Sequence, residues 1–445
     1  AGVGMIIAIA FVVKSVLYFF SQIAIYRFSF GLQRKIELRL FDAYLLAPYT
    51  FYLSRNSAGI IKNISLETHK FTHGYLVPLL QGIANLFIVV VLTALLARTD
   101  LLLLSMILGG ILPVFLLFVL FRKRIKHWGH QGSDALQEII RVVNHGLGGF
   151  KETRVIGCEP YFMQQMNEQT LKLEASQLPF YVSQKVPRIL LEALLIIPLV
   201  VFISVSQFSG NDSQSLIGTL GVFAVASIRL MPAASQFLMS LSSMQGNAYT
   251  VDALSYDLKL LEDNYKTDRQ LEKVRKQMLP MLANGQQAGQ HDSLTLKHYI
   301  SLDNVVYRYP ESVEPALNNI SLTIKKGQSV AFIGKSGSGK TTLVDVILGL
   351  LKPEEGSICT DGISIHQNVR DWQNLVGYIP QSIFLTDDTV RRNIAFGVPD
   401  HLIDDEKLER AIDLAQLREF IEQLPDGLQT IVGERGVRLS GGQRQ

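Results

Sequence analysis

The chain of 445 residues has room for about three domains at roughly 150 residues each, and its 48% hydrophobic content with a mean hydropathy of +0.23 excludes a disordered protein. Lys plus Arg (42) nearly balances Asp plus Glu (39), a net charge of +3 that speaks against a nucleic-acid partner. Two cysteines, Cys158 and Cys359, are too few for a disulfide scaffold or a zinc ribbon.

Along the chain, the first elements are long apolar runs. Val3–Tyr26 carries one charge, Lys14, and is long enough to cross about 30 Å of hydrocarbon as a helix. Phe28–Gly74 is a basic loop holding Arg34, Lys35, Arg39, Arg55, Lys62 and Lys70, with a helical pattern over Leu32–Leu46. Tyr75–Ala97 and Leu101–Phe121 are charge-free runs joined by the tight Arg98–Asp100 connection. Arg122–Arg188 is a second long basic loop, helical over Asp134–Val143. Ile189–Phe208 with Glu192 and Leu216–Leu241 with Arg229 complete five candidate spans, and Ser209–Ser215 between them has no Lys or Arg. The positive-inside rule puts both long basic loops in the cytoplasm, as extensions of the membrane helices. Residue 1 then lies outside. An even number of spans calls for one more upstream of Ala1, so the chain is read as cut at both ends.

Beyond the fifth span the physics changes. Asp252–Glu262 reads as an amphipathic helix leaving the membrane, and Asn284–Lys297 is polar and Gly/Gln-rich. The domain reading is a transmembrane domain over 1–262, a linker over 263–299 and a nucleotide-binding domain over 300–445. In that last part, a strand is expected at Ser329–Ile333 and a helix at Thr341–Leu350. Between them, Gly334-Lys335-Ser336-Gly337-Ser338-Gly339-Lys340-Thr341 fits the P-loop pattern G-x-x-x-x-G-K-[ST]. Its glycines let backbone N–H groups converge on phosphate oxygens at a helix N-terminus. Lys340 would reach the β- and γ-phosphates and Thr341 would offer its hydroxyl to Mg²⁺.

A second motif, Leu439-Ser440-Gly441-Gly442-Gln443, follows the P-loop, with Tyr378-Ile379-Pro380-Gln381 between the two and Tyr307-Arg308-Tyr309-Pro310 ahead of both. This ordered set resembles the A-loop, Walker A, Q-loop and signature of the ABC transporter family. Val432-Gly433-Glu434-Arg435-Gly436 resembles the segment that precedes the signature in exporters. The resemblance covers essentially the whole chain. It implies an exporter-type fold: an α-helical transmembrane domain with five of six spans present, plus a truncated α/β P-loop NTPase domain. It implies that Tyr309 stacks on adenine, and that Gly334, Ser336, Gly337, Ser338, Gly339, Lys340, Thr341 and Thr342 hold the phosphates. Gln381 would sense Mg²⁺ or the attacking water. Ser440, Gly441, Gly442 and Gln443 would face ATP held by a second half-transporter, most simply an identical one. The resemblance also places the Walker B strand, the catalytic Glu and the switch His after the signature, so the chain as written is expected to bind nucleotide poorly and not to hydrolyse it. On the bare residues, Tyr309 could also be a core tyrosine and Gln381 a surface glutamine.

Phe150-Lys151-Glu152-Thr153-Arg154-Val155-Ile156-Gly157, Arg229-Leu230-Met231-Pro232 and Phe384-Leu385-Thr386-Asp387-Asp388-Thr389-Val390 look similar to the bacterial lipid-linked oligosaccharide flippases among ABC exporters. The resemblance implies ATP-driven movement of a lipid-linked oligosaccharide or related lipid across the bacterial inner membrane, with the ATPase domain in the cytoplasm. It also implies short coupling helices near Tyr49–Leu53 and Gly149–Glu159. A drug, lipid or peptide exporter and a non-transporting ABC regulator are the competing readings. Lys14, Glu192 and Arg229 are costly in lipid unless they face a cavity or pair. A Glu192–Arg229 ion pair and an anion-binding role for Arg229 both fit, as do snorkelling and a cavity role for Lys14. Cys158 falls on the cytoplasmic side and reads as a reduced bystander.

Overall fold

The computed structural model describes residues 2–99, 101–208, 213–267, 294–310, 312–433 and 436–444. The chain divides into two compact units, Ala1–Ala47 with Phe51–Asn264, and Pro48–Thr50 with Tyr265–Gln445.

The first unit is a bundle of very long helices. They are α1 (Gly2–Leu45), α2 (Tyr49–Leu53), α3 (Ser57–Ile61), α4 (Thr68–Lys70), α5 (Val77–Thr99), α6 (Leu101–Gly148), α7 (Phe150–Ile156), α8 (Glu159–Phe208) and α9 (Ser213–Thr267). At 1.5 Å per residue, α1, α6, α8 and α9 run roughly 65–80 Å, more than twice the thickness of a bilayer core. The expected extension of the spans beyond the membrane is thus present. A helix satisfies its own backbone, which is what allows such segments to pass through hydrocarbon. Met5, Ile6, Phe19 and Phe20 are all exposed on α1, so its apolar surface meets lipid or another chain rather than its own core. One apolar cluster, Leu96, Ile107, Val114, Leu191, Leu230, Ala234 and Leu238, packs where α5, α6, α8 and α9 meet.

Two features set the geometry of the extensions. The first is close approach. A Cβ on Gly129 of α6 would lie 1.8 Å from the Gly246 carbonyl oxygen of α9, and a Cβ on Gly246 would lie 2.0 Å from Cε2 of Phe180 on α8. No other residue type fits that crossing. The second is a pair of π-helical segments, Lys62–Glu67 and Phe71–Leu76, on either side of α4. The Gly74 carbonyl in the second accepts from Ser243 Oγ at 2.8 Å and Asn247 Nδ2 at 3.4 Å, both on α9.

A buried carboxylate ties the ends together. Asp257 on α9 is 2% exposed. It accepts hydrogen bonds from the Tyr44 hydroxyl at 2.5 Å, Asn63 Nδ2 at 2.6 Å and Arg55 at 3.0 Å. Tyr52 donates to the Tyr44 carbonyl at 2.6 Å, and the Arg55 guanidinium lies 5.0 Å from the Phe51 ring centroid. The turn that carries α2 is thereby fixed to α9. The other short helix, α7, starts after Gly149 and ends at Gly157, whose φ of +75° stops it. Both short helices expected at the cytoplasmic turns are therefore formed.

In the second unit, β1 (Tyr299–Tyr307), β2 (Leu317–Lys325), β3 (Glu355–Thr360) and β4 (Ile363–Ser364) form one antiparallel sheet in the order β2-β1-β3-β4. Leu302, Val305, Leu317, Ile358 and Trp372 lie in its core together with Leu343 and Val346 of α10 (Lys340–Ile347). The strand expected at Ser329–Ile333 is not formed. Val330 is 38% and Ile333 94% exposed, and no strand among the described residues pairs with this backbone. An apolar run becomes a strand only when a neighbour takes up its N–H and C=O groups. A second cluster, built on Val390, Leu408, Ile412, Ile421 and Val432, forms the helical part of the unit.

Asp361, at the β3–β4 turn, accepts backbone N–H bonds from Lys297 (2.6 Å), His298 (2.9 Å) and Tyr299 (2.9 Å), and so anchors the entry into β1. These amides hold its carboxyl below the usual carboxylate range. A depressed folded-state value means stability that is present above the unfolded value of about 3.9 and lost as pH falls through the folded one. Asp361→Asn is expected to lower the thermal midpoint of the ATPase unit at pH 7, and the gap to wild type should close at acid pH. A constant gap from pH 7 to pH 3 in a melting series would contradict this role.

Candidate functional site

The P-loop is shaped by two glycines that no other residue can replace at low cost. Gly337 and Gly339 have φ of +80° and +84°, and a Cβ on Gly339 would lie 2.6 Å from the Ala316 carbonyl oxygen. Gly339 is also the N-cap of α10 and supplies no side-chain cap, which leaves the first-turn N–H groups of the helix to a ligand. Lys340 curls back over its own loop. Its Nζ donates to the carbonyl oxygens of Lys335 at 2.7 Å and Gly334 at 3.0 Å, with Ser338 Oγ at 3.4 Å. The ammonium is thus held at the loop, where phosphate oxygens can compete for its three protons.

Of the flanking residues, Thr341 is exposed at the start of α10, as a hard oxygen ligand for Mg²⁺ would be. Thr342 points the other way. It is 6% exposed, and its Oγ1 lies 3.0 Å from the Tyr309 hydroxyl. Tyr309 also meets the Tyr307 ring edge-on at 5.1 Å, so the β1 end and the P-loop helix are joined by one hydroxyl pair. Gln381 is exposed.

The signature residues lie on the helical part of the unit. Ser440 N–H donates to Gln443 Oε1 at 2.8 Å and Gln443 N–H to Ser440 Oγ at 3.4 Å, a reciprocal cap on the short helix Gly441–Arg444. Ser440, Gly441, Gly442 and Gln443 are all exposed, and a Cβ on either glycine would meet nothing. Tyr309 and the P-loop are brought together within the sheet part; the signature presents an open face elsewhere in the unit.

Of the membrane charges, Glu192 and Arg229 do not pair. Glu192 Oε1 takes the guanidinium of Arg188, one helical turn away on α8, at 3.1 Å. That partner is already in place on the same helix face, so no other helix need supply one. Arg229 instead lies 4.7 Å from the Phe11 ring centroid, and Lys14 lies 5.9 Å from the same ring. Two cations of this unit therefore share one aromatic ring. The sequence marked Lys14 and Arg229 but not Phe11; the only signal was its i,i+3 spacing from Lys14.

Comparison with known proteins agrees with this geometry. Residues 1–233 match the family model described as ABC transporter transmembrane region, and residues 317–445 the one described as ABC transporter. The chain is 27% identical over 437 residues to an ATP-dependent lipid A-core flippase of Cupriavidus metallidurans, covering 97% of this chain and 70% of that one. It is 28% identical to the protein of the same name in Pseudoalteromonas translucida, covering 99% and 72%. A solved structure of a bacterial Atm1-family ABC exporter with ATP bound superposes with a TM-score of 0.75 at 18% identity, over 95% of this chain and 71% of that one. The chain belongs to the ABC transporter family, with a transmembrane region and an ATP-binding domain joined in one polypeptide of exporter-type fold.

Proposed function

We propose that this protein uses ATP hydrolysis to flip an anionic lipid, of the lipid A or lipid-linked oligosaccharide kind, across the bacterial inner membrane. The observation that carries the reading is the Lys14–Phe11–Arg229 cluster on the same chain as a P-loop. Cations set in an apolar bundle suit a phosphate-bearing headgroup better than a neutral drug. The names of the similar flippases support a lipid substrate.

In this reading two half-transporters, most simply identical, close on two ATP molecules with their ATPase domains in the cytoplasm. Lys340 and the α10 amides bind the β- and γ-phosphates of one ATP. Ser440 and Gly442 of the other copy complete its site, and Tyr309 packs on adenine. Thr341 and Gln381 would hold Mg²⁺, whose charge would offset that of the phosphates. ATP binding favours the closed state of the pair and hydrolysis removes that preference.

Three outcomes test the reading in the full-length protein. Lys340→Ala is expected to cut ATP hydrolysis at least about a hundredfold and abolish flipping while leaving membrane insertion intact. Transport at the wild-type rate would refute the P-loop assignment. Tyr309→Ala is expected to weaken ATP binding roughly tenfold, the scale of one lost base–aromatic stack, while Tyr309→Phe stays near wild type. An equal loss in both variants, read by equilibrium ATP titration, would move the role from the ring to the Thr342 hydrogen bond. Arg229→Ala is expected to slow flipping of a polyprenyl-pyrophosphate glycan or lipid A in sealed liposomes roughly tenfold more than that of a neutral lipid. Equal slowing of both would mark Arg229 as a packing residue and favour a hydrophobic-compound exporter.

A further inference from the structure

A cavity of about 330 Å³ opens among the cytoplasmic extensions, between the α4 region, α6, α8 and α9. This is the low end of the range for small-ligand sites. Three basic side chains line it from α4 and the π-helical segment after it: His69, Lys70 and His73. The two imidazole rings lie 4.3 Å apart. Lys70 Nζ donates to the Tyr249 hydroxyl at 3.2 Å and stands 4.0 Å from Glu67 Oε1. That carboxylate does not neutralise it alone. Glu67 also faces Lys62 at 3.5 Å and accepts from Ser133 Oγ at 2.7 Å, so one buried acid serves two ammonium groups. No Asp or Glu is among the residues lining the cavity.

The rest of the lining completes a polar site with an apolar wall. Gln177, Gln184 and Asn247 present amides, while Trp128 and Phe180 present rings. Bases and amides converging without an acid are the donor set of an oxyanion site, and the rings suit the carbon part of such a ligand. The walls are held in place independently of any ligand: Asn247 is fixed to the Gly74 carbonyl and Phe180 is pressed on Gly246.

We propose that this cavity binds a phosphate-bearing anion, with Lys70 as its ion-pair partner, His69 and His73 as hydrogen-bond donors, and Trp128 and Phe180 against its apolar part. The anion site is argued from the cavity alone; that the phosphate arrives on a lipid headgroup rests on the flipping reading. Trp128 supplies the readout. The test uses full-length protein in phosphatidylcholine nanodiscs without ATP. Tryptophan fluorescence is followed on adding inorganic pyrophosphate, or on replacing part of the lipid with dioleoylphosphatidate, and the signal of a Trp128→Phe protein is subtracted. A saturable change with both probes, at least tenfold weaker in Lys70→Gln and retained in Lys70→Arg, supports the proposal. A change with pyrophosphate and none with phosphatidate supports the anion site and overturns the lipid source. No saturable change with either probe, or an undiminished one in a folded Lys70→Gln protein, overturns the proposal. Binding without ATP-driven flipping in liposomes would sink the flipping reading and leave this site standing.

Discussion

Burying the carboxylate of Asp257 removes a full charge from water, at a cost of several kcal/mol unless protein donors replace the lost hydration. Three donors do so, and they come from three separate stretches: Tyr44 at the end of α1, Arg55 in the turn after α2, and Asn63 in the first π-helical segment. A charged acceptor with several donors is worth more than the same number of neutral contacts, and it is lost as a unit. The arrangement therefore fixes where α1 stops, how the α2 turn is presented and which face of α9 those elements meet. One hydrophobic cluster of this unit lies around Leu191 and Leu230, and buried Leu40, Phe51 and Leu254 sit on the same elements as the Asp257 network.

The glycine crossing works with that constraint. Gly129, Gly246 and Phe180 bring α6, α8 and α9 to a separation that leaves no slack. Close-packed contacts of this kind transmit displacement instead of absorbing it. The π-helical segments beside α4 add a second contact with α9, since a wide turn exposes a carbonyl that a neighbour must satisfy. The Gly74 carbonyl finds Ser243 and Asn247 on α9. The extensions thus combine one tight crossing with one hydrogen-bonded turn, and both are anchored on the same helix.

What could be read from the residues follows from how local each feature is. The P-loop was legible because the turn itself demands Gly337 and Gly339, and the helix after it starts within one residue of the expected place. The long membrane helices were legible because charge-free runs such as Tyr75–Ala97 have few other uses. The failures concern partners. Ser329–Ile333 has strand composition, but strand identity belongs to the pair, and no described strand pairs with it. Glu192 and Arg229 looked complementary across helices, yet Arg188 was one turn away on the same helix and took the carboxylate. Asp257 gave no signal at all. In sequence it is one acid on an amphipathic stretch that also carries Asp252, and only the fold separates the buried Asp257 from the exposed Asp252.

The Lys14–Phe11–Arg229 cluster shows why a magnitude is needed to judge such a site. A cation on an aromatic face gains about 0.5–2 kcal/mol. Setting Lys or Arg in the middle of a membrane helix costs about 2.5–3.5 kcal/mol on insertion scales and more on others. One ring shared by two cations does not cover the cost of both, and Glu192, the acid of the nearby spans, is engaged with Arg188. The remaining compensation has to come from water in a cavity or from an anion. In the proposed reading a phosphate-bearing headgroup would supply both the missing charge and acceptor oxygens for the N–H groups that the ring leaves unused.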